Sequence, residues 1–337
     1  MHAFFRDVRY ALRALRKHRA FTAVAVLTLA LGIGANTAVF TVLNAVLLRP
    51  LPYEAPEQLA MLFTEVPTQG LREGRSAFGD VELWRAHAKT LADAAIFDSV
   101  RVTLSGGTGA EMISVGRVSP NYFSLLGIQP AYGRVFTAQE ADERQSVAVI
   151  GHNFWQSRFR GSLDAIGATL VIDTRPSRII GIMPEGVLDD SDLWEPHTLF
   201  ANWEALRVAR GVGPWFVLAR LRPGVTFQQA QNEMSAIARR IGDQSPRAAA
   251  VGVSVVPLSL HITGSRTRVA LWMLTAAVSF VLLMAIANIA GLSLARSAGR
   301  DREIAIRAAL GATQGHIIRQ LLIESVTLAV VAGLAGE

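Results

Sequence analysis

The chain has 337 residues, of which 51% are hydrophobic and only 18% charged, and its mean hydropathy is +0.32. Soluble domains usually carry about 25% charged residues, and the apolar excess is concentrated in two long runs, which points to membrane spans plus one soluble domain. The formal net charge of +6 comes from basic residues gathered beside the apolar runs, which argues for membrane topology and against nucleic acid. The absence of cysteine excludes disulfides, thiolate metal sites and cysteine nucleophiles.

Residues 1–19 read as a cytoplasmic amphipathic helix. Phe4, Phe5, Val8, Leu12 and Leu15 fall in one arc at helical spacing, and Arg6, Arg9, Arg13, Arg16 and Lys17 fall in the adjoining one. Such a helix lies on the bilayer with its cations among anionic headgroups; a solvated helix with a small soluble contact is the plainer alternative. Residues 20–48 then run 29 positions without a charge, more than the roughly 20 needed to cross the hydrocarbon core. A signal peptide would have an apolar stretch of about 7–15 residues and a small-residue cleavage site. This run ends instead in Leu47-Leu48-Arg49-Pro50-Leu51-Pro52, so an uncleaved first span is expected, with Gly32, Gly34, Asn36 and Thr37 marking close helix packing. The six basic residues before it put the N-terminus in the cytoplasm and the following domain outside. Arg266 and Arg268 weigh weakly against that orientation; Arg296, Arg300, Arg302 and Arg307 weigh for it.

Residues 49–268 carry the pattern of a soluble α+β domain. Helices are expected over Phe78 to Ala95, with Val81, Leu83, Trp84, Ala88 and Leu91 as apolar members, and over Thr226 to Ile241, with Thr226 as N-cap. Strands are expected at Val100–Leu104, Met112–Val118, Val147–Ile150, Thr169–Ile172, Arg178–Ile182, Trp215–Leu221 and Val251–Val256. Residues 269–295, 27 positions without a charge, form a second span in which Asn288 is expected to hydrogen-bond a neighbouring helix. Residues 296–316 are charged and cytoplasmic, and residues 317–337 begin a third apolar segment. Its final twelve uncharged residues, Ser325 to Gly336, are too few to cross alone.

Enzyme chemistry leaves little trace. There is no G-x-x-x-x-G-K-[ST] phosphate cradle and no G-x-S-x-G elbow outside a span, and the seven histidines are scattered. The acidic group Asp189, Asp190, Asp192 and Glu195 matches no calcium loop and is expected to be solvated. The six tryptophans are expected as core or interface anchors. No catalytic, cofactor or metal site is expected. The segment after the second span is the exception in character. Glu303 and Arg307 are i,i+4 partners in the favourable order, Ile304, Ile306, Ala309 and Leu310 offer apolar contact, and Gly311 can stop the helix. By residues alone this is either a short helix placed to receive a push from a partner or an ordinary intracellular loop.

Several blocks resemble the MacB/FtsX-type permeases of ABC transporters. They are Val118-Ser119-Pro120-Asn121-Tyr122-Phe123-Ser124-Leu125-Leu126-Gly127 with Gly133-Arg134-Val135-Phe136, Val149-Ile150-Gly151-His152-Asn153-Phe154-Trp155, Ile179-Ile180-Gly181-Ile182-Met183-Pro184, Ala219-Arg220-Leu221-Arg222-Pro223-Gly224-Val225, and Arg302-Glu303-Ile304-Ala305-Ile306-Arg307-Ala308-Ala309-Leu310-Gly311-Ala312. Together they cover most of the chain. Arg6-Asp7-Val8-Arg9-Tyr10-Ala11-Leu12-Arg13 and Gly32-Ile33-Gly34-Ala35-Asn36-Thr37-Ala38 further resemble the duplicated orphan permease (ADOP) group. The resemblance implies an inner-membrane protein whose periplasmic core domain has a porter-like lobe with a second lobe inserted at about 118–206. It implies that Arg302, Glu303, Ile304, Ile306, Arg307, Leu310, Gly311 and Ala312 form a coupling helix resting on a separate ABC ATPase. A second permease protomer, the same chain or a related one, would complete the transporter. ATP-driven motion of the spans would then reach the periplasmic domain and serve efflux or lipoprotein handling. The alternative is an FtsX-like regulator acting on a periplasmic partner protein without moving a substrate. The family has four spans, so a chain that stops at Glu337 inside its third apolar segment is expected to be truncated.

Overall fold

The computed structural model describes residues 19–48, 51–106, 109–188, 191–244, 252–298 and 326, and the chain divides into a membrane-helix unit and a folded unit of residues 50–262. The predicted helix at 4–19, the coupling segment and the third apolar segment lie outside the described residues, Arg19, residues 296–298 and Val326 excepted.

The membrane-helix unit holds α1, Arg19–Leu43, which ends in a π-helical turn at Asn44–Leu48. Two described helices are long and apolar enough to cross a membrane; their apolar stretches are Thr22–Leu47 and Arg266–Gly291. In the folded unit the chain runs β1 (Leu59–Val66), β2 (Leu71–Gly74), α2 (Phe78–His87), β3 (Leu91–Gly106) and β4 (Gly109–Val118). It continues through α3 (Tyr122–Leu126), β5 (Tyr132–Gly133), α4 (Ala138–Asp142), β6 (Val147–Ile150), α5 (His152–Phe159), β7 (Thr169–Ile172), β8 (Arg175–Ile182) and β9 (Leu193–Pro196). The last elements are α6 (Trp203–Leu206), β10 (Phe216–Leu221), α7 (Phe227–Gln244), β11 (Gly252–Pro257) and α8 (Leu258–Thr263), before α9 (Ser265–Ala298) returns to the membrane-helix unit.

One mixed sheet threads the α+β domain in the order β11-β1-β10-β3-β4-β9-β6-β8-β5, with β2 on β1 and β7 bridging β3 and β8. The pairs β4–β9 and β6–β8 are parallel. The strand side chains alternate between two faces. Ala60 and Leu62 of β1, Ala94 and Ile96 of β3, and Val217, Ala219 and Leu221 of β10 pack under α2 and α7, against Val81, Trp84, Ala230, Met234 and Ile237. The opposite face, with Leu59, Met61, Phe63, Ala95 and Leu218, packs against Tyr122, Phe123, Leu125 and Leu126 of α3. A third cluster lies under α5 and draws Val102, Leu104, Ile113 and Val115 from the far end of the β3–β4 hairpin together with Ala148, Ile150, Phe154 and Ile179. Thus residues 118–206 supply β5 to β9 but complete their core with strands that precede them.

One predicted helix differs from the structure, and one long strand was not predicted. The helix expected to reach Ala95 stops at His87, and Leu91 to Ala95 belong to β3. Alanine-rich sequence suits a helix, but Leu91 to Phe97 pair in antiparallel register with Phe216 to Leu221, and burial on both faces outweighs propensity. The carboxylate of Glu233, on α7, accepts hydrogen bonds from the Lys89 and Thr90 amides at 3.0 and 2.7 Å, which holds the turn that ends α2. β1 had no counterpart in the reading by residues. It is buried almost throughout, so it shows none of the alternation by which a half-buried strand is read. The start of α7 is as expected. Thr226 Oγ1 accepts from the Gln229 amide at 3.2 Å and Gln229 Oε1 accepts from the Thr226 amide at 2.8 Å, a reciprocal cap.

Candidate functional site

Of the positions singled out for function, Arg6, Arg9, Arg13, Arg16, Lys17 and the coupling residues Arg302, Glu303, Ile304, Ile306, Arg307, Leu310, Gly311 and Ala312 lie outside the described residues. The described features that bear on function are the seam between the two apolar helices and a set of buried polar joints in the domain.

At the seam, Ala25 and Leu29 pack with Ile289, Gly32 faces Leu282, and Asn36 faces Val278 and Ser279. The partner numbers fall as the α1 numbers rise, so the helices are antiparallel. A Cβ on Gly32 would come within 2.8 Å of Leu282 Cδ1, so the small residue lets the two helices approach with the Leu282 side chain in this position. Asn36 Nδ2 donates to the Gly32 carbonyl at 3.0 Å and the Val278 carbonyl at 3.3 Å, and Ser279 Oγ donates to Asn36 Oδ1 at 3.2 Å. Gly32 and Asn36 therefore do what was expected of them. Thr37 lies on an exposed face, and so does Asn288; the interhelical hydrogen bonds belong to Asn36 and Ser279 instead.

The acidic group expected to be solvated is partly built into the domain, among its described members. Asp192 accepts from the Ser114 amide at 2.8 Å. Glu195 is fully buried on β9 and takes Arg175 Nη2 at 2.7 Å and Ser177 Oγ at 2.6 Å. β9 is a partner of β4 in register, Glu195 opposite Arg117, so a charge that reads as surface composition closes a joint between β4, β8 and β9. The Arg117 guanidinium lies 5.0 Å above the Phe200 ring, and burial holds its pKa below the usual arginine value.

Beside this joint His197 is only 6% exposed. Its ring centroid is 4.6 Å from Trp203, 5.5 Å from Phe78 and 5.9 Å from Trp215. It donates to the Val118 carbonyl, and burial lowers its pKa from 6.5 to about 4. The charged groups on the elements around it are engaged elsewhere: Asp80 of α2 takes Arg210 Nε and the Gly211 amide, and Arg117 covers Phe200. On the outer side of the domain, Arg134 forms two bonds to Glu140 at 2.7 and 2.8 Å, and these bonds lower the Glu140 pKa to about 2. Five of the six tryptophans (Trp84, Trp155, Trp194, Trp203, Trp215) are buried core anchors, and Trp272 is 52% exposed on α9.

Chemically these groups are clamps: each carboxylate is held by a cation or backbone amides, and the deeply buried His197 is neutral, with no carboxylate among the described residues to orient it. Among the described residues, no three His, Cys, Asp or Glu side chains are placed to hold a metal ion. Reasoning from residues missed His197 and Arg117 and took the buried Glu195 for a solvated acid, because nothing local distinguishes them. The only sequence signal is a polar residue between apolar neighbours, as in Leu193-Trp194-Glu195-Pro196.

The described parts are an apolar helix, a mixed-sheet α+β domain and a second apolar helix. The chain belongs to the family described as the MacB-like periplasmic core domain, whose model matches residues 22–237, and the FtsX-like permease C-terminal model matches residues 275–336. It is similar to the macrolide export ATP-binding/permease protein MacB of Neisseria meningitidis serogroup A, with 25% identity over 99% of this chain and 52% of that protein. It is also similar to the pyoverdine export ATP-binding/permease protein PvdT of Pseudomonas aeruginosa, with 28% identity over 66% of this chain and 33% of that protein. The chain spans about half the length of the MacB relatives it matches. The periplasmic region of MacB from Actinobacillus actinomycetemcomitans aligns at TM-score 0.47 and 15% identity, covering 61% of this chain and 91% of that one.

Proposed function

We propose that the chain is the permease subunit of an ABC-type exporter, in which a separate ATPase drives the spans and the periplasmic domain changes conformation in response. The observation that carries this reading is the order of parts: an apolar helix, a MacB-like core domain, a second apolar helix, and a region matching the FtsX-like permease that starts at residue 275. The relatives that align over nearly the whole chain combine ATP-binding and permease functions by name. This chain has no phosphate-cradling glycine loop, so ATP would be handled by a partner. With the N-terminus in the cytoplasm, residues 302–312 reach the side on which an ATPase sits. Glu303 and Arg307 support each other there across one helical turn, Ile304, Ile306 and Leu310 give the partner an apolar contact, and Gly311-Ala312 end the helix. A second permease protomer completes the assembly, and the basic face of residues 4–19 rests on the lipid surface.

The test is co-purification of the full chain from its native membrane. An ABC ATPase is expected with the wild type and lost in Glu303→Arg and in Leu310→Asp. An ATPase retained in both variants refutes the coupling assignment.

A further inference from the structure

We infer that Arg220 is a positioning residue that locks the segment leaving the first apolar helix to α3, so that displacement of that helix is delivered to residues 118–206. The inference rests on the permease reading and names the joint through which its motion would pass.

Arg220 lies on β10, paired with Leu59 on one side and Asp93 on the other, yet its guanidinium takes no carboxylate among the described residues. It donates to backbone carbonyls of two segments far apart in sequence. Nε and Nη2 reach the Leu125 carbonyl at 3.0 and 2.7 Å, Nη2 reaches the Glu54 carbonyl at 2.6 Å, and Nη1 reaches the Ala55 carbonyl at 3.2 Å. A planar fork can bridge carbonyls in this way; a lysine, with one compact ammonium, cannot. Leu125 is on α3, whereas Glu54 and Ala55 belong to the segment that follows the π-helical turn ending α1 at Leu48. The same two segments meet again where the Glu54 amide donates to the Leu126 carbonyl at 3.1 Å. Gly127 closes α3 at φ +73°, and a Cβ there would collide with the Glu54 side chain, so glycine is needed both for the turn and for the approach. Ala55 also takes a left-handed conformation, φ 41°, at a position without glycine. Such a conformation persists where its surroundings hold it, and Arg220 on the Ala55 carbonyl does so.

Around the clasp, Leu51 and Tyr53 pack on the core that contains α3, and so does Leu258 from the segment leading to the second apolar helix. The His261 ring of that segment lies 5.2 Å from the Phe63 ring, tilted by 50°. Both connections to the membrane helices therefore seat on one core, to which residues 118–206 contribute α3 together with Phe136, Val147, Val149, Ile180 and Trp194. α3 is in turn tied to β3: Asn121 Nδ2 donates to Asp93 Oδ2 at 2.7 Å and to the Ala94 carbonyl at 2.9 Å. A rigid exit segment moves α3 with it; a loose one lets the helix move without it.

The experiment uses the full chain with its co-purifying ATPase and two variants, Arg220→Gln and Arg220→Lys. Amide exchange is read first, since it does not depend on transport. The Glu54 amide and residues 122–128 are expected to exchange about tenfold faster in both variants, while β6 keeps wild-type protection. Unchanged exchange, or loss of protection throughout the domain, overturns the clasp. Because the chain has no cysteine, nitroxides placed through Glu57→Cys and Ser124→Cys, both exposed, report the joint alone. Their distance should be narrow and independent of nucleotide in the wild type, and should shift with ATP and vanadate in Arg220→Gln. A distance that ignores nucleotide in both forms overturns the transmission role. Failure of any ATPase to co-purify counts instead against the permease reading, and the exchange result still decides the clasp.

Discussion

Acid should unfold the domain through His197. Its folded pKa is lowered to about 4 from 6.5 because the ring is buried among Phe78, Trp203 and Trp215. Between these values the unfolded chain binds a proton at His197 and the folded chain does not, so unfolding takes up a proton and stability falls as pH falls. The full contribution is present above about pH 6.5 and is lost progressively toward pH 4. At 1.36 kcal/mol per pKa unit, the loss between pH 7.5 and pH 4.5 is about 2.5 kcal/mol. His197→Phe keeps an aromatic ring in the cluster and removes the titration, while the Val118 carbonyl loses its donor at a cost of about 1 kcal/mol. The variant should therefore be the less stable protein at pH 7.5 and the more stable one at pH 4.5. The measurement is urea unfolding of the full chain in detergent, followed by tryptophan emission, to which Trp203 and Trp215 beside the ring contribute. Parallel stability–pH curves for wild type and variant over this range would refute the reasoning, because they would mean that His197 is free to ionise in the folded state.

Gly116 on β4 lies flat against the Trp194 indole, and a methyl group there would collide with the ring; Gly116→Ala should cost about 1–3 kcal/mol and shift tryptophan emission, and an unshifted midpoint would contradict this packing. Glu140→Gln removes the charge-assisted pair with Arg134 and weakens the Thr137 cap, with an expected loss of about 1–2 kcal/mol at neutral pH. Because the Glu140 pKa is lowered to about 2, that difference should persist down to about pH 4.5 and shrink as pH falls toward 2, which thermal melts of both proteins across that range would check. Asn36→Leu in α1 removes the bonds to Val278 and Ser279 and should weaken the helix pair by about 0.6–1.7 kcal/mol, seen as a lower midpoint for helix separation in detergent titrations; an unchanged midpoint would mean that packing at Gly32 alone holds the seam.

Much of this protein could be read in one dimension. The two apolar helices follow from runs of 29 and 27 uncharged residues, since crossing a bilayer requires only length and composition. The strands Val147–Ile150 and Thr169–Ile172 have the expected bounds, and the reciprocal cap of α7 is written into residues 226–229. Tertiary structure alone decided where partners distant in sequence outweigh local preference. The end of α2 is set by Glu233, more than 140 positions from the Lys89 and Thr90 amides it binds. β1 is invisible to periodicity because the sheet is covered on both faces. Glu195, His197 and Arg220 look like ordinary polar residues until folding removes water from the first two and brings Glu54, Ala55 and Leu125 around the third. A charge has no function that its own neighbours reveal; burial and geometry, which come from the far parts of the chain, assign it.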